Sequence, residues 1–281
     1  MGSPQTLAGP VPSPQPRPDP AWVACHQEHV RQIQEADAAG QGFGLMFFGD
    51  SITESWSGTD LCKPVPRAQG VDAVFRRHFG RWNASVMAVG GDQTAHLLWR
   101  LLNGEAPRKN KPRVAVVLIG TNDLGAAAWE APDVHSAEAA VMQAVPGVTL
   151  RVLNTLHLLK DLLPDTHVVL MALLPRGGGW PGAPAHWPSV FTQAFDIVNA
   201  HYRDFTRLDG HLHFLDCGER FLAPDRRAIR TDLMPDVLHP NPEGYELLAE
   251  CLDPLVTKLM QHPGTQPLRR QPANSFEATK E

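Results

Sequence analysis

Ser51 stands in "FFGDSITESW" (47–56), directly after an apolar run, where a serine is either the hydroxyl of an ordinary turn or a nucleophile. A nucleophilic serine needs a base to take its proton, a group that orients the base, and N–H donors for the oxyanion formed when a carbonyl is attacked. Residues of all three kinds recur downstream. "DVLHPN" (236–241) holds Asp236 and His239 three residues apart, a spacing that lets both side chains face one side of a turn. "GGDQT" (90–94) offers the backbone N–H of Gly91 with no side chain to crowd a substrate, and "GTND" (120–123) offers the Asn122 amide. The Ser51 backbone N–H is a third donor. Each of these residues is equally at home in a plain turn, so the chemistry depends on their meeting.

What must position them is a set of five short apolar runs: "LMFFG" (45–49), "SVMAV" (85–89), "VAVVLIG" (114–120), "HVVLMAL" (167–173) and "LHFLD" (212–216). They alternate with helical patterns, which predicts a five-stranded parallel sheet covered on both faces, an α/β fold in three α/β/α layers. In such a sheet the carboxyl ends of the strands gather the functional loops. "GDSIT", "GGDQT", "GTNDL" and "LLPRGGG" each follow a strand, so they are expected on one rim. Leucines at near-helical spacing predict a helix over 148–163. Asn241 followed by Pro242 predicts the start of the last helix, which Pro254 is expected to kink or divide. Residues 124–148 read as an insert after the third strand, and with the loop 176–188 they are candidate lids. Trp129, Arg176, Trp180 and Trp187 in these two segments are candidate substrate contacts, or else they pack the loops onto the body.

The 281 residues carry a net charge of −5, and the lysines and arginines form no basic stripe, which argues against nucleic acid as a partner. No apolar run reaches the roughly 18 to 20 residues that span a bilayer. The start shows no segment of signal-peptide type, so a cytoplasmic location is expected. Cys25, Cys62, Cys217 and Cys251 are far apart with no CxxC pair, so neither a zinc site nor a disulfide framework is expected, and a reducing compartment is. The histidines lack metal-ligand spacing, and no metal or cofactor is expected. A two-metal phosphoesterase would need histidines where Ile52 and Asp123 or Leu124 stand, and GxSxG fails because position 53 is Thr. Residues 1–20 and 263–281 read as disordered tails around a single domain at 21–262.

The order "GDS", "GGD", "GTND", "DxxH" across residues 47–239 resembles the SGNH, or GDSL-type, serine ester hydrolases. The resemblance implies their flavodoxin-like three-layer fold, with Ser51 as nucleophile, His239 as base, Asp236 as its partner, and Gly91 and Asn122 as oxyanion donors. It makes Asp50 and Asp92 structural neighbours. "GGDQTAHLLWRLLNGE" (90–105) and "LLPRG" (173–177) are similar to one branch, the catalytic subunits of the intracellular platelet-activating-factor acetylhydrolases. That branch implies short, acetyl-type acyl groups on a small-molecule or lipid ester, and a homodimer. "GTND" departs from its "GTNN". An acyltransferase would use the same residues, and an inactive scaffold would keep the fold without the chemistry.

Overall fold

The computed structural model describes residues 13–179 and 184–261, with backbone alone at 134 and 135. β1 (Leu45–Gly49) is followed by a two-stranded antiparallel ribbon of β2 (Thr59–Asp60) and β3 (Lys63–Pro64), then by β4 (Ala84–Ala88), β5 (Val114–Leu118), β6 (His167–Met171) and β7 (Leu212–Leu215). The main sheet runs in the order β4-β1-β5-β6-β7 with every pair parallel. β1 and β5 are buried along their whole length, and that is why they read as unbroken apolar runs. The ribbon was not legible, because two-residue strands carry no periodicity.

The helices are α1 (Pro20–Ala39), α2 (Ser51–Glu54), α3 (Val71–Phe79), α4 (Thr94–Leu102), α5 (Thr121–Trp129), α6 (Val134–Leu162), α7 (Thr192–Phe205) and α8 (Pro242–Gln261). The chain passes from β1 out to β4 through α3, then returns across the sheet through α4, α6 and α7. Right-handed crossovers in opposite directions place α3 on one face and the other three on the opposite face. α8 packs beside α3, and α6 packs between α4 and α7. The three-layer sandwich expected from the sequence is the fold observed.

Several expectations need correction. Residues 124–148 are not a free insert: α5 and the first half of α6 fill them, with Leu124, Val141, Val145 and Val148 in the core. They are a wall of the sandwich. Pro254 lies inside a continuous α8 and does not divide it. Residues 13–20 are not a loose tail, for Gln15 N–H donates to the Ala95 carbonyl, and Asp19 Oδ1 accepts from Ala21 N–H at 2.9 Å to cap α1. The expected disorder at 1–12 and 263–281 falls outside the described residues. The cysteines are paired after all: Cys25–Cys62 joins α1 to the ribbon, and Cys217–Cys251 joins the end of β7 to α8. Partners 37 and 34 residues apart show no spacing motif, yet the fold brings their Cα atoms to 5.4 and 6.1 Å. The reading of a reducing compartment thereby loses its basis.

Candidate active site

α2 exists because Asp50 caps it, its Oδ1 accepting the Ile52 N–H at 3.0 Å. The cap sets Ser51 at the first helical position, at the carboxyl end of β1, which lies between β4 and β5. Ser51 Oγ lies 3.0 Å from His239 Nε2, and His239 Nδ1 lies 2.6 Å from Asp236 Oδ2. Asp236 Oδ1 accepts the backbone N–H groups of Leu238 at 3.0 Å and His239 at 2.7 Å. Burial alone would raise the Asp236 carboxyl; the bonds and charge of His239 and those two N–H groups outweigh it and hold the group below the ordinary carboxylate range. An ionised Asp236 can only accept, which assigns the His239 proton to Nδ1 and leaves Nε2 to receive the Ser51 hydroxyl.

The turn that aims this pair is strained. Val237, between the two, has φ of 57°, a left-handed value that a β-branched side chain resists. Its carbonyl accepts the Gly177 N–H at 2.7 Å, which ties the turn to the loop after β6. Beyond the turn, Asn241 Oδ1 accepts the Gly244 N–H at 2.9 Å and caps α8 as the sequence predicts. Tyr245 in the first turn of α8 donates to the Ile52 carbonyl at 2.5 Å, so the helices behind Ser51 and His239 are bonded to each other.

Gly91 and Asn122 arrive on the two strands that flank β1. Asn122 Nδ2 donates to the Asp92 carbonyl at 3.0 Å, which fixes the amide beside the Gly91 turn. Gly91 has φ of 78°, the region where glycine is the permissive residue. Among the described residues its N–H donates to no protein acceptor. All five residues singled out for chemistry are therefore on one rim, and three of them are in direct hydrogen-bonding contact.

Four residues that sequence reasoning passed over hold this rim together. Glu54, on the same short helix as Ser51, is buried and accepts from Thr59 Oγ1 and from the backbone N–H groups of Leu61, Cys62 and Gly90, at 2.6 to 2.9 Å. Arg100, fully buried on α4, donates to Asp92 Oδ2 at 2.7 Å, to the carbonyls of Gly49 and Met87, and pairs with Glu105. Trp22 Nε1 donates to the other Asp92 oxygen at 2.6 Å, so Asp92 has the structural place expected of it. Arg17 reaches the Gly90 carbonyl. A lone charge inside an apolar helix pattern, as in "LLWRLL", was the only signal available for Arg100.

Beside the rim lies a cavity of about 450 Å³ whose lining includes Trp129, Arg176, Gly177, Val190 and Phe191. The buried Arg176 guanidinium donates to the carbonyl of Thr121 at 2.7 Å and lies 4.5 Å from the centre of the Phe191 ring. Burial lowers it to about 10 against the pull of Asp50 and Asp236. Trp187 does not line this cavity; it packs against the core, with its backbone N–H donating to the Arg227 carbonyl. Trp180 lies outside the described residues. The one cluster of metal-type donors among the described residues is Cys25, His29 and Cys62, and with the two sulfurs bonded to each other only the imidazole is left to donate.

Residues 47–247 match the GDSL-like Lipase/Acylhydrolase family. The chain is 28% identical over 261 residues to the platelet-activating factor acetylhydrolase IB subunit alpha1 of Bos taurus, covering 92% of each chain. It is 26% identical over 243 residues to the alpha2 subunit of Gallus gallus, covering 86% of each. Among solved structures, a GDSL-like lipase of Bacteroides thetaiotaomicron aligns with a TM-score of 0.54 at 16% identity, over 82% of this chain and 97% of that one. The extracellular lipase of Streptomyces rimosus aligns at 0.53 and 15%, over 76% and 98%. At these identities the two structures share the fold.

Proposed function

Because the chain belongs to the GDSL-like lipase/acylhydrolase family and is a carboxylic ester hydrolase, we propose that it works through an acyl-enzyme on Ser51. The observation that carries the reading is the unbroken relay from Ser51 Oγ through His239 to Asp236, at 3.0 and 2.6 Å. Ser51 attacks the ester carbonyl while His239 Nε2 takes its proton, and Asp236 stabilises the imidazolium. The tetrahedral oxyanion lies against the N–H groups of Ser51 and Gly91 and the Asn122 amide. His239 then protonates the departing alcohol, and a water activated by the same nitrogen releases the acid.

The acyl group is a short one. The similarity to subunits that bear the name acetylhydrolase supports this. Trp129 and Arg176 contact the remainder of the ester from the neighbouring cavity. A homodimer belongs to the same proposal and is read by sedimentation.

The test is hydrolysis of p-nitrophenyl esters from acetate to palmitate. Activity should fall steeply beyond butyrate, and Ser51→Ala should lose at least ~10⁴-fold in kcat. A Ser51→Ala variant that kept wild-type turnover would sink the nucleophile assignment. A wild type that neither turned over any ester nor labelled with a fluorophosphonate would favour a scaffold. Product partition toward an added alcohol reads the transferase alternative.

A further inference from the structure

The peptide between Gly90 and Gly91 is held by its carbonyl, and the peptide before it by its N–H, and together they determine where the Gly91 N–H aims. In a planar trans peptide the carbonyl and the following N–H point in opposite directions. The Gly90 carbonyl accepts from Arg17 Nη1 at 2.5 Å, and the Gly90 N–H donates to Glu54 Oε2 at 2.6 Å. The Arg17 guanidinium lies across Gly91, with Nη1, Cζ and Nη2 at 3.1, 3.5 and 3.5 Å from where a Cβ would stand. Those near-equal distances mean that the group covers the Cα of Gly91. Two consecutive glycines leave rotation of this peptide almost unhindered, since neither flanking residue has a Cβ to resist it. Rotation by half a turn would place the carbonyl where the N–H now points.

The other charges that face Arg17 are those of Asp92, with Oδ1 at 3.5 Å from Nη1, and Asp19, with Oδ2 at 3.8 Å from Nη2. Asp92 is already engaged by Trp22 and Arg100. Arg17 is thus the outermost member of a bonded chain that starts in the core at Arg100 and ends on the Gly90 carbonyl. It is also the one member carried by the Pro-rich segment 13–19, which sits on the rim as an arm.

We propose that Arg17 is a positioning residue for acyl transfer: it locks the Gly90–Gly91 peptide with the Gly91 N–H facing the reacting carbonyl, and the N-terminal arm is a built-in element of the oxyanion site. The inference rests on the reading of Gly91 as an oxyanion donor. Its particular content is that a residue 34 positions before Ser51, touching neither substrate nor nucleophile, sets kcat.

The test compares wild type with Arg17→Ala and Arg17→Lys, using p-nitrophenyl acetate and a fluorophosphonate that phosphonylates Ser51. Arg17→Ala should lose about 10- to 100-fold in kcat, short of the loss from deleting an oxyanion donor because the peptide still visits the right orientation. KM should stay within about twofold, and the rate of phosphonylation should fall in parallel. Arg17→Lys should recover part of the loss, since an ammonium can donate to the same carbonyl without covering Gly91. Added ethylguanidinium should raise kcat of Arg17→Ala and leave wild type unchanged, which a merely structural role would not predict. Thermal melts of both variants guard against global unfolding. Wild-type kcat in Arg17→Ala, or a change confined to KM, overturns the lock while labelling of Ser51 leaves the acyl-enzyme reading standing. Failure of wild type to label, together with full activity in Ser51→Ala, overturns both.

Discussion

Asp50 and Asp236 are two carboxyls of one site with opposite environments. Asp50 is buried, one oxygen accepting from Ile52 and the other without a hydrogen-bond partner among the described residues; burial, with Asp92 adding to it, pushes the group up to about 7. An unfolded aspartate titrates near 4, so between about pH 4 and 7 the folded state holds a proton that the unfolded state has lost. Stability is therefore expected to fall as pH rises through that window, by a few kcal/mol in all, and to level off above it. Asp50→Asn keeps the helix cap and removes the titration, so urea midpoints at pH 5 and 7.5 should differ less in the variant than in wild type. Asp236, held below the usual range, contributes in the other sense: its stabilisation is present above about pH 4 and is lost as pH falls through its folded value. Asp236→Asn should cost roughly 10⁴-fold in kcat, by presenting His239 with a donor where it needs an acceptor.

At the scale of elements, the rim is held by buried charge. Arg100 meets Asp92 and Glu105 inside the protein, and replacing it with Met takes the buried guanidinium from both carboxylates, leaving Asp92 to Trp22 and Glu105 to His26, at an expected cost of about 3–5 kcal/mol in denaturant unfolding. The bond between β7 and α8 offers a contrast. Serine at Cys217 and Cys251 should lower stability by about 2–4 kcal/mol and lower the melting temperature, with kcat at 25 °C unchanged, because that tether joins α8 to the edge strand β7, three strands from β1. The same division explains what could be read from the chain. β1 and β5 were legible because burial on both faces leaves few polar residues in them. Ser51, Asp236 and His239 were legible because their chemistry fixes residue types in a fixed order. Glu54 and Arg100 were not, since in a sequence a buried charge is indistinguishable from a solvated one. The first half of α6 lies in the segment read as an insert, where Pro146 stands inside the helix and tertiary packing of Val141, Val145 and Val148 carries the helix through it. Trp187 was offered as a pocket residue because an aromatic on a rim loop suits either role, and the loop closes with that ring against the core.

Over the whole molecule, the two halves of the relay come from opposite ends of the fold. Ser51 follows the first strand, and His239 lies 188 residues later, immediately before the final helix. Their contact requires β1 and α8 to be seated in the same globule, and Tyr245 on Ile52 fastens that seat. Catalytic competence is consequently a late milestone of self-assembly: a chain still leaving the ribosome has its serine roughly 10 to 40 s of synthesis before its base, and is chemically mute. Upon dilution from urea, recovered ester cleavage should lag the return of far-ultraviolet circular dichroism, making turnover a reporter for completion of the last helix.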